Sequence, residues 1–163
     1  MKIMVVGSGG REHAIIKKIK EKPQVTELYA LPGNGGIAKD ATCVDIAAKD
    51  VEGVVAFAKE KGIDFAVVAP DDPLVLGMVD ALNAIGIPCF GPDKKAAILE
   101  GSKVFSKNLM KEFNIPTASY EVFDDPAKAL SYIEEKNEYP VVIKADGLAL
   151  GKGVIIAANH EEA

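Results

Sequence analysis

Lys2-Ile-Met-Val-Val-Gly-Ser-Gly-Gly-Arg-Glu-His-Ala-Ile-Ile-Lys-Lys-Ile-Lys20 is the stretch that decides the fold. Its run Ile3–Val6 is continuously apolar, as suits a strand buried on both faces. Gly7-Ser8-Gly9-Gly10 breaks the run. A helix is expected over Glu12–Lys20, with Ala14, Ile15 and Ile19 on its inner side. The alternation then repeats. Strands are predicted at Leu28–Leu31, weakly at Thr42–Val44, at Asp64–Ala69 and at Pro88–Phe90. Helices are predicted at Val51–Lys61, stopped by Gly62, and at Leu74–Ile85, capped by Gly86. Apolar strands separated by helices imply a parallel sheet covered on both sides. Right-handed crossovers make it an open, doubly wound α/β fold of Rossmann-like type.

The pattern changes near residue 100. Ser102 can cap a helix running to Phe113, with Phe105, Leu109 and Phe113 at helical spacing. Tyr120–Phe123 has the composition of a strand. Asp125-Pro126 is a cap followed by proline at the first helical position, opening a helix to about Lys136. The expected division is therefore residues 1–100 and 101–163, with the second piece too short to build a complete core. Asn159-His-Glu-Glu162 has capping-box spacing, which announces a helix one residue before the last residue, Ala163. That ending leads us to expect a fragment of a longer enzyme.

Residues 141–156, Val-Val-Ile-Lys-Ala-Asp-Gly-Leu-Ala-Leu-Gly-Lys-Gly-Val-Ile-Ile, place two apolar runs around a loop with Gly147, Gly151 and Gly153. Lys144 and Lys152 bring positive charge to that loop, and small residues let backbone amides approach an anion. It is not a P-loop: three residues separate Gly147 from Gly151 where a P-loop has four, and Gly153 stands where Ser or Thr would bind magnesium. Two uses remain open, a flap over a polyphosphate and an ordinary glycine-rich hairpin.

Gly7–Gly10 opens the first helix, where amides and helix dipole favour a phosphate, and Arg11 offers a bidentate partner. The dinucleotide fingerprint is half met, because Glu12 occupies the place of its third glycine. The second strand ends in Leu31-Pro32-Gly33-Asn34, without the acidic residue that an adenosine ribose requires, so NAD fits poorly. Pro32-Gly-Asn34 and Pro70-Asp71-Asp72-Pro73 both follow strands expected to be adjacent. Asp71 and Asp72 could take ribose hydroxyls, and Asp72 could equally be the N-cap of the helix from Leu74. His13 is expected to orient or pack, not to act as a base.

The bulk numbers narrow the class. Hydrophobic residues make up 48% and charged residues 26%, as in soluble globular proteins. Net charge is −5 and the pI about 5.1, which removes the electrostatic footprint of a nucleic-acid binder. Cys43 and Cys89 are far apart without a histidine pair, so neither a metal site nor a disulfide framework is expected. No segment suits a signal peptide or a membrane span, and the expected location is cytoplasmic.

In order and spacing, Val-Gly-Ser-Gly-Gly-Arg-Glu-His13, Pro-Gly-Asn34, Pro-Leu-Val-x-Gly77-x-Val-Asp80, Phe-Gly-Pro92, Glu-Gly-Ser-Lys103 and Ile-Lys-Ala-Asp-Gly147 through Gly-Lys-Gly153 resemble the phosphoribosylamine–glycine ligase (glycinamide ribonucleotide synthetase) family of ATP-grasp ligases. The resemblance covers essentially the whole chain. It implies an N-terminal substrate domain over 1–100 and the start of an ATP-grasp domain over 101–163. The implied reaction joins glycine to 5-phosphoribosylamine through glycyl phosphate, with ATP converted to ADP and phosphate, in purine biosynthesis. Gly9, Gly10 and Arg11, with Asn34 nearby, fall at the phosphoribose end. Lys103 and Lys144 match the family's phosphate-directed lysines, and Gly147, Gly151, Lys152 and Gly153 its flap. Asp71 stands where the family usually has Glu, which shortens the implied ribose contact by one methylene. Mg2+ (or Mn2+) is implied, with its ligands and those of glycine expected beyond residue 163. The resemblance thus points to an enzyme fragment inactive by itself, with small-molecule substrates and neither nucleic-acid nor membrane partners. The alternative is a non-catalytic nucleotide- or sugar-phosphate-binding module.

Overall fold

The computed structural model describes residues 1–149 and 152–163, which fall into two compact units, Met1–Ile98 and Leu99–Ala163. In the first, β1 (Lys2–Gly7), β2 (Glu27–Pro32), β3 (Thr42–Cys43), β4 (Phe65–Val68) and β5 (Cys89–Phe90) form one parallel sheet ordered β3-β2-β1-β4-β5. The chain builds outward from β1 on one side, then returns to start again on the other. This reversal lies between β1 and β4, the topological switch point of a doubly wound sheet. It corrects one expectation: β2 and β4 are not neighbours but flank β1 on either side.

Alternation along β1 explains why its sequence is uniformly apolar. Met4 and Val6 enter one core with Leu31, Ala66, Val68, Val54 and Leu82, while Ile3 and Val5 enter the other with Ile16, Ala30 and Val67. Each residue of the apolar run Ile3–Val6 is thus claimed by one layer or the other. On α1 (Gly10–Lys20) the buried residues are Glu12 and Ile16; Ile15 and Ile19 pack beside them, and Ala14 is exposed. α2 (Val51–Lys61) is capped by Asp50, whose Oδ1 accepts the Gly53 N–H at 2.9 Å, and stops at Gly62 with φ +63°. The helix expected at Leu74–Ile85 is instead two, α3 (Asp71–Leu76) and α4 (Met78–Ala84), because Gly77 takes φ +90° and turns the chain between them. α3 begins at Asp71 with Pro70 as its N-cap residue, so Asp72 lies inside the helix and does not cap it.

α5 (Lys94–Gly101) spans the boundary between the units. The second unit contains α6 (Lys103–Glu112), α7 (Pro126–Lys136) and the antiparallel pair β6 (Val141–Lys144) and β7 (Val154–Ala157). Both predicted caps form: Ser102 Oγ accepts the Phe105 N–H at 3.1 Å, and Asp125 Oδ1 the Ala127 N–H at 2.8 Å. Asn159 Oδ1 likewise accepts the Glu162 N–H at 3.1 Å, while Glu162 returns to the Ala158 N–H at 2.8 Å. Tyr120–Phe123 is not a strand. It pairs with no strand among the described residues, and Tyr120 is held by its side chain, which donates to Asn108 Oδ1 at 2.8 Å. Only Ile133 and Ala157 are buried apolar residues of this unit among those described. Along the Phe105–Leu109–Phe113 stripe Leu109 is half-buried, while Phe105 and Phe113 stay exposed, Phe113 at 64%.

Candidate functional site

Three loops meet at the carboxyl ends of β1, β2 and β4. They line a cavity of about 350 Å³ with Gly7, Ser8, Gly9, Glu12, Pro32, Pro70, Asp72 and Pro73, joined by Ala47–Lys49 from the loop before α2. It lies at the switch point, where open α/β sheets bind ligands. A larger polar cleft, about 500 Å³, is lined by Lys20, Val25–Tyr29 and Ala38–Thr42. It includes neither the glycine loop nor a residue from the β4 end, so the smaller cavity is the candidate site.

Of the residues singled out from sequence, Gly9 lines this cavity; Gly10, Arg11, Asn34 and Asp71 do not. The Arg11 side chain is 70% exposed, with Nε 3.9 Å from Glu12 Oε1. Asn34 fastens two loops: Nδ2 donates to the Ser8 carbonyl at 2.7 Å, and Oδ1 accepts the N–H groups of Gly36 and Ile37 at 2.7 and 2.9 Å. It holds the glycine loop against the β2 end. Asp72, rather than Asp71, reaches the cavity, and its Oδ2 is 3.6 Å from Lys49 Nζ.

Glu12 was legible as a missing glycine but not as a site element. It is 3% exposed, and its Oε2 accepts the Gly9 N–H at 2.5 Å. The Gly9-x-x-Glu12 spacing of a capping box was the available signal. The expected anion-binding amide is therefore already engaged. Lys49 had no sequence signal, because only the tertiary fold brings its loop to β1.

His13 does orient, as expected. Its Nε2 is 3.0 Å from Asp40 Oδ2, and Lys20 Nζ is 3.2 Å from Asp40 Oδ1, tying α1 to the turn after β2. The His13 hydrogen bond foremost, then that of Lys20, holds the Asp40 carboxyl below its usual range. A depressed carboxylate pKa contributes stability above its unfolded value and loses it as pH falls through the folded one. We expect the stability difference between the parent and Asp40→Asn to shrink below about pH 4, measured by urea unfolding across pH. A difference that stays constant through that range would assign the effect to packing.

In the second unit, Asp146 binds the start of α6. It accepts from the Lys103 and Val104 N–H groups at 2.7 and 3.2 Å and from Ser102 Oγ at 3.1 Å. These bonds, that of Val104 foremost, lower its pKa. Lys103 Nζ donates to the Gly147 carbonyl at 2.6 Å, so α6 and the glycine loop meet. Lys144 ends β6 and is exposed, as is Lys152. Gly147 has φ +87°, and a Cβ at Gly153 would come 2.8 Å from that of Ala149, so both positions favour glycine. Gly151, part of the expected flap Gly147–Gly153, lies outside the described residues. The Asp146 cap, formed across 43 residues of sequence, had no local signal.

With a switch-point cavity in the first unit and a lysine-bearing glycine hairpin in the second, the chain falls in the ATP-grasp class. Residues 101–163 match the model for the phosphoribosylglycinamide synthetase ATP-grasp (A) domain, and residues 1–100 that for the phosphoribosylglycinamide synthetase N domain. The chain belongs to the phosphoribosylglycinamide synthetase family. Over 163 residues it is 52% identical to the phosphoribosylamine–glycine ligase of Agrobacterium fabrum, covering 100% of this chain and 38% of that protein. To the Vibrio cholerae ligase it is 48% identical over 165 residues, with the same coverage. The crystal structure of the Thermotoga maritima ligase superposes with a TM-score of 0.77 at 38% identity, covering 99% of this chain and 37% of that one. The biotin carboxylase domain of Hydrogenobacter thermophilus 2-oxoglutarate carboxylase shares the fold, with a TM-score of 0.75 at 23% identity over 99% of this chain and 38% of that one. The chain thus spans about 38% of the length of the curated relatives.

Proposed function

We propose that this chain contributes the sugar-phosphate-binding domain, residues 1–100, and the start of the ATP-grasp domain, residues 101–163, to a cytoplasmic phosphoribosylamine–glycine ligase. The observation that carries the reading is the occurrence, in one chain of this family, of the switch-point cavity and the Lys103–Gly147 hairpin site. In the proposed reaction ATP phosphorylates glycine to glycyl phosphate. The amine of 5-phosphoribosylamine attacks its carbonyl, an amide forms and phosphate leaves. The product is glycinamide ribonucleotide, in purine biosynthesis.

Arg11 and the glycine loop serve the phosphoribose, Asn34 positions that loop, and Asp72, which lines the cavity, takes the ribose contact that the resemblance implies for Asp71. Lys103, Lys144 and Lys152 neutralise nucleotide phosphates around Gly147, Gly151 and Gly153; phosphoryl transfer asks chiefly for such charge stabilisation and positioning. ATP enters with Mg2+ (or Mn2+). Among the described residues no group of three or more His, Cys, Asp or Glu could hold a metal ion, so no metal ligand and no metal-dependent step is assigned to this chain. No helix described is long and apolar enough to cross a membrane.

Arg11→Ala should raise the Michaelis constant for phosphoribosylamine about tenfold or more, the scale of a charge-assisted hydrogen bond. The constant for ATP should hardly change. A larger effect on ATP than on the sugar phosphate would make the glycine loop a nucleotide site instead.

A further inference from the structure

We propose that Glu12 sets which end of a ligand the Gly7–Gly10 loop accepts: an amine or hydroxyl that donates a hydrogen bond, and not a phosphate. The inference rests on the sugar-phosphate reading of the cavity. In a dinucleotide-binding turn, glycines let the backbone approach a pyrophosphate. Here they make room for a carboxylate. A Cβ at Gly7 would lie 2.6 Å from Glu12 Cγ, and one at Gly9 2.7 Å from Oε2. The Gly9 amide is spent on Oε2 at 2.5 Å. The charge that remains opposes the helix N-terminus, and burial protects it from screening by solvent. A phosphate brought to this loop meets a negative charge in place of a cradle of free amides.

The second carboxylate oxygen points to what is accepted instead. Oε1 is buried and has no hydrogen-bond partner among the described residues. Arg11 Nε, at 3.9 Å, is beyond hydrogen-bond range. A buried carboxylate oxygen left without a donor is costly, and Glu12 lines the cavity. A donor carried by the ligand completes it as the loop seats around the ligand. The C1 amine or a ribose hydroxyl of a sugar phosphate supplies such a donor, while its phosphate is left to the exposed cations Arg11 and Lys49.

Calorimetric titration of the chain with ribose 5-phosphate and, separately, with inorganic phosphate tests this. Glu12→Gln keeps the side chain's size and an acceptor for the Gly9 N–H but removes the charge. It should weaken ribose 5-phosphate about tenfold or more and leave inorganic phosphate unchanged or tighter. Glu12→Asp, which keeps the charge but withdraws it, should fall between parent and Glu12→Gln; it also serves if Glu12→Gln does not fold, unchanged affinity for both probes then counting against the proposal. Parallel loss of both probes in Glu12→Gln would reduce Glu12 to loop architecture and overturn the inference, as would unchanged sugar-phosphate binding. Arg11→Ala separates this failure from a wider one. If Arg11→Ala alone weakens ribose 5-phosphate, the site stands and only the role of Glu12 falls. If neither substitution matters, or the parent binds no ribose 5-phosphate, the cavity is not the sugar-phosphate site.

Discussion

Gly7→Ala should destabilise the unit Met1–Ile98 by about 3 kcal/mol or more, combining backbone strain with overpacking. Gly7 closes β1 with φ +128°, a conformation that side-chain-bearing residues rarely adopt. An added Cβ would also sit 2.6 and 2.9 Å from Glu12 Cγ and Cδ and 2.9 Å from Pro70 Cγ. Neither neighbour is free to yield. Glu12 is anchored to Gly9, and Pro70 is fixed as the residue before α3. For a domain of this size the loss corresponds to a fall in Tm of more than about 10 °C. Gly10→Ala is the matched control, because nothing lies within 4 Å of the Cβ it would add and its backbone is helical. Equal Tm values for the two variants would contradict the packing described for this loop.

Lys144→Ala should lower kcat of the proposed ligase reaction about 100-fold or more, the scale for removing a preorganised partner of developing charge. Lys144 ends β6, paired in register with Val154 of β7, so its backbone is fixed while its side chain remains exposed. Its removal should leave folding almost untouched. Lys103 differs, because its Nζ already holds the Gly147 carbonyl, and Lys103→Ala should disturb the loop as well as the charge. Turnover by Lys144→Ala close to the parent's would take this lysine out of the phosphate site.

What could be read from sequence and what could not divide along a physical line. Apolar β1, the Ser102 and Asp125 caps and the Gly62 stop were legible because each is set by residues within a few positions of one another. The two doubly wound layers followed from uninterrupted apolar strands. The break at Gly77 was missed, because a glycine in a helical pattern is tolerated as often as it turns the chain. Tyr120–Phe123 has strand composition, but a strand exists only with a partner, and that is a tertiary fact. At the candidate site, the glycines and Arg11 were visible as a motif. The carboxylate beneath them, the Lys49–Asp72 pair and the Asp146 cap on α6 were not, since each depends on segments brought together by the fold. The choice between Asp71 and Asp72 has the same origin. Two adjacent aspartates at the start of a helix point in different directions, and only the placement of α3 selects the one that faces the cavity.

The central claim is best tested by following ADP release by the native protein that carries this sequence, with glycine and phosphoribosylamine supplied singly and together. The account predicts release sustained over many turnovers only when both are present, with glycinamide ribonucleotide accumulating in equal amount. Sustained turnover without one of the two, or tight sugar-phosphate binding with no turnover when both are present, would contradict it.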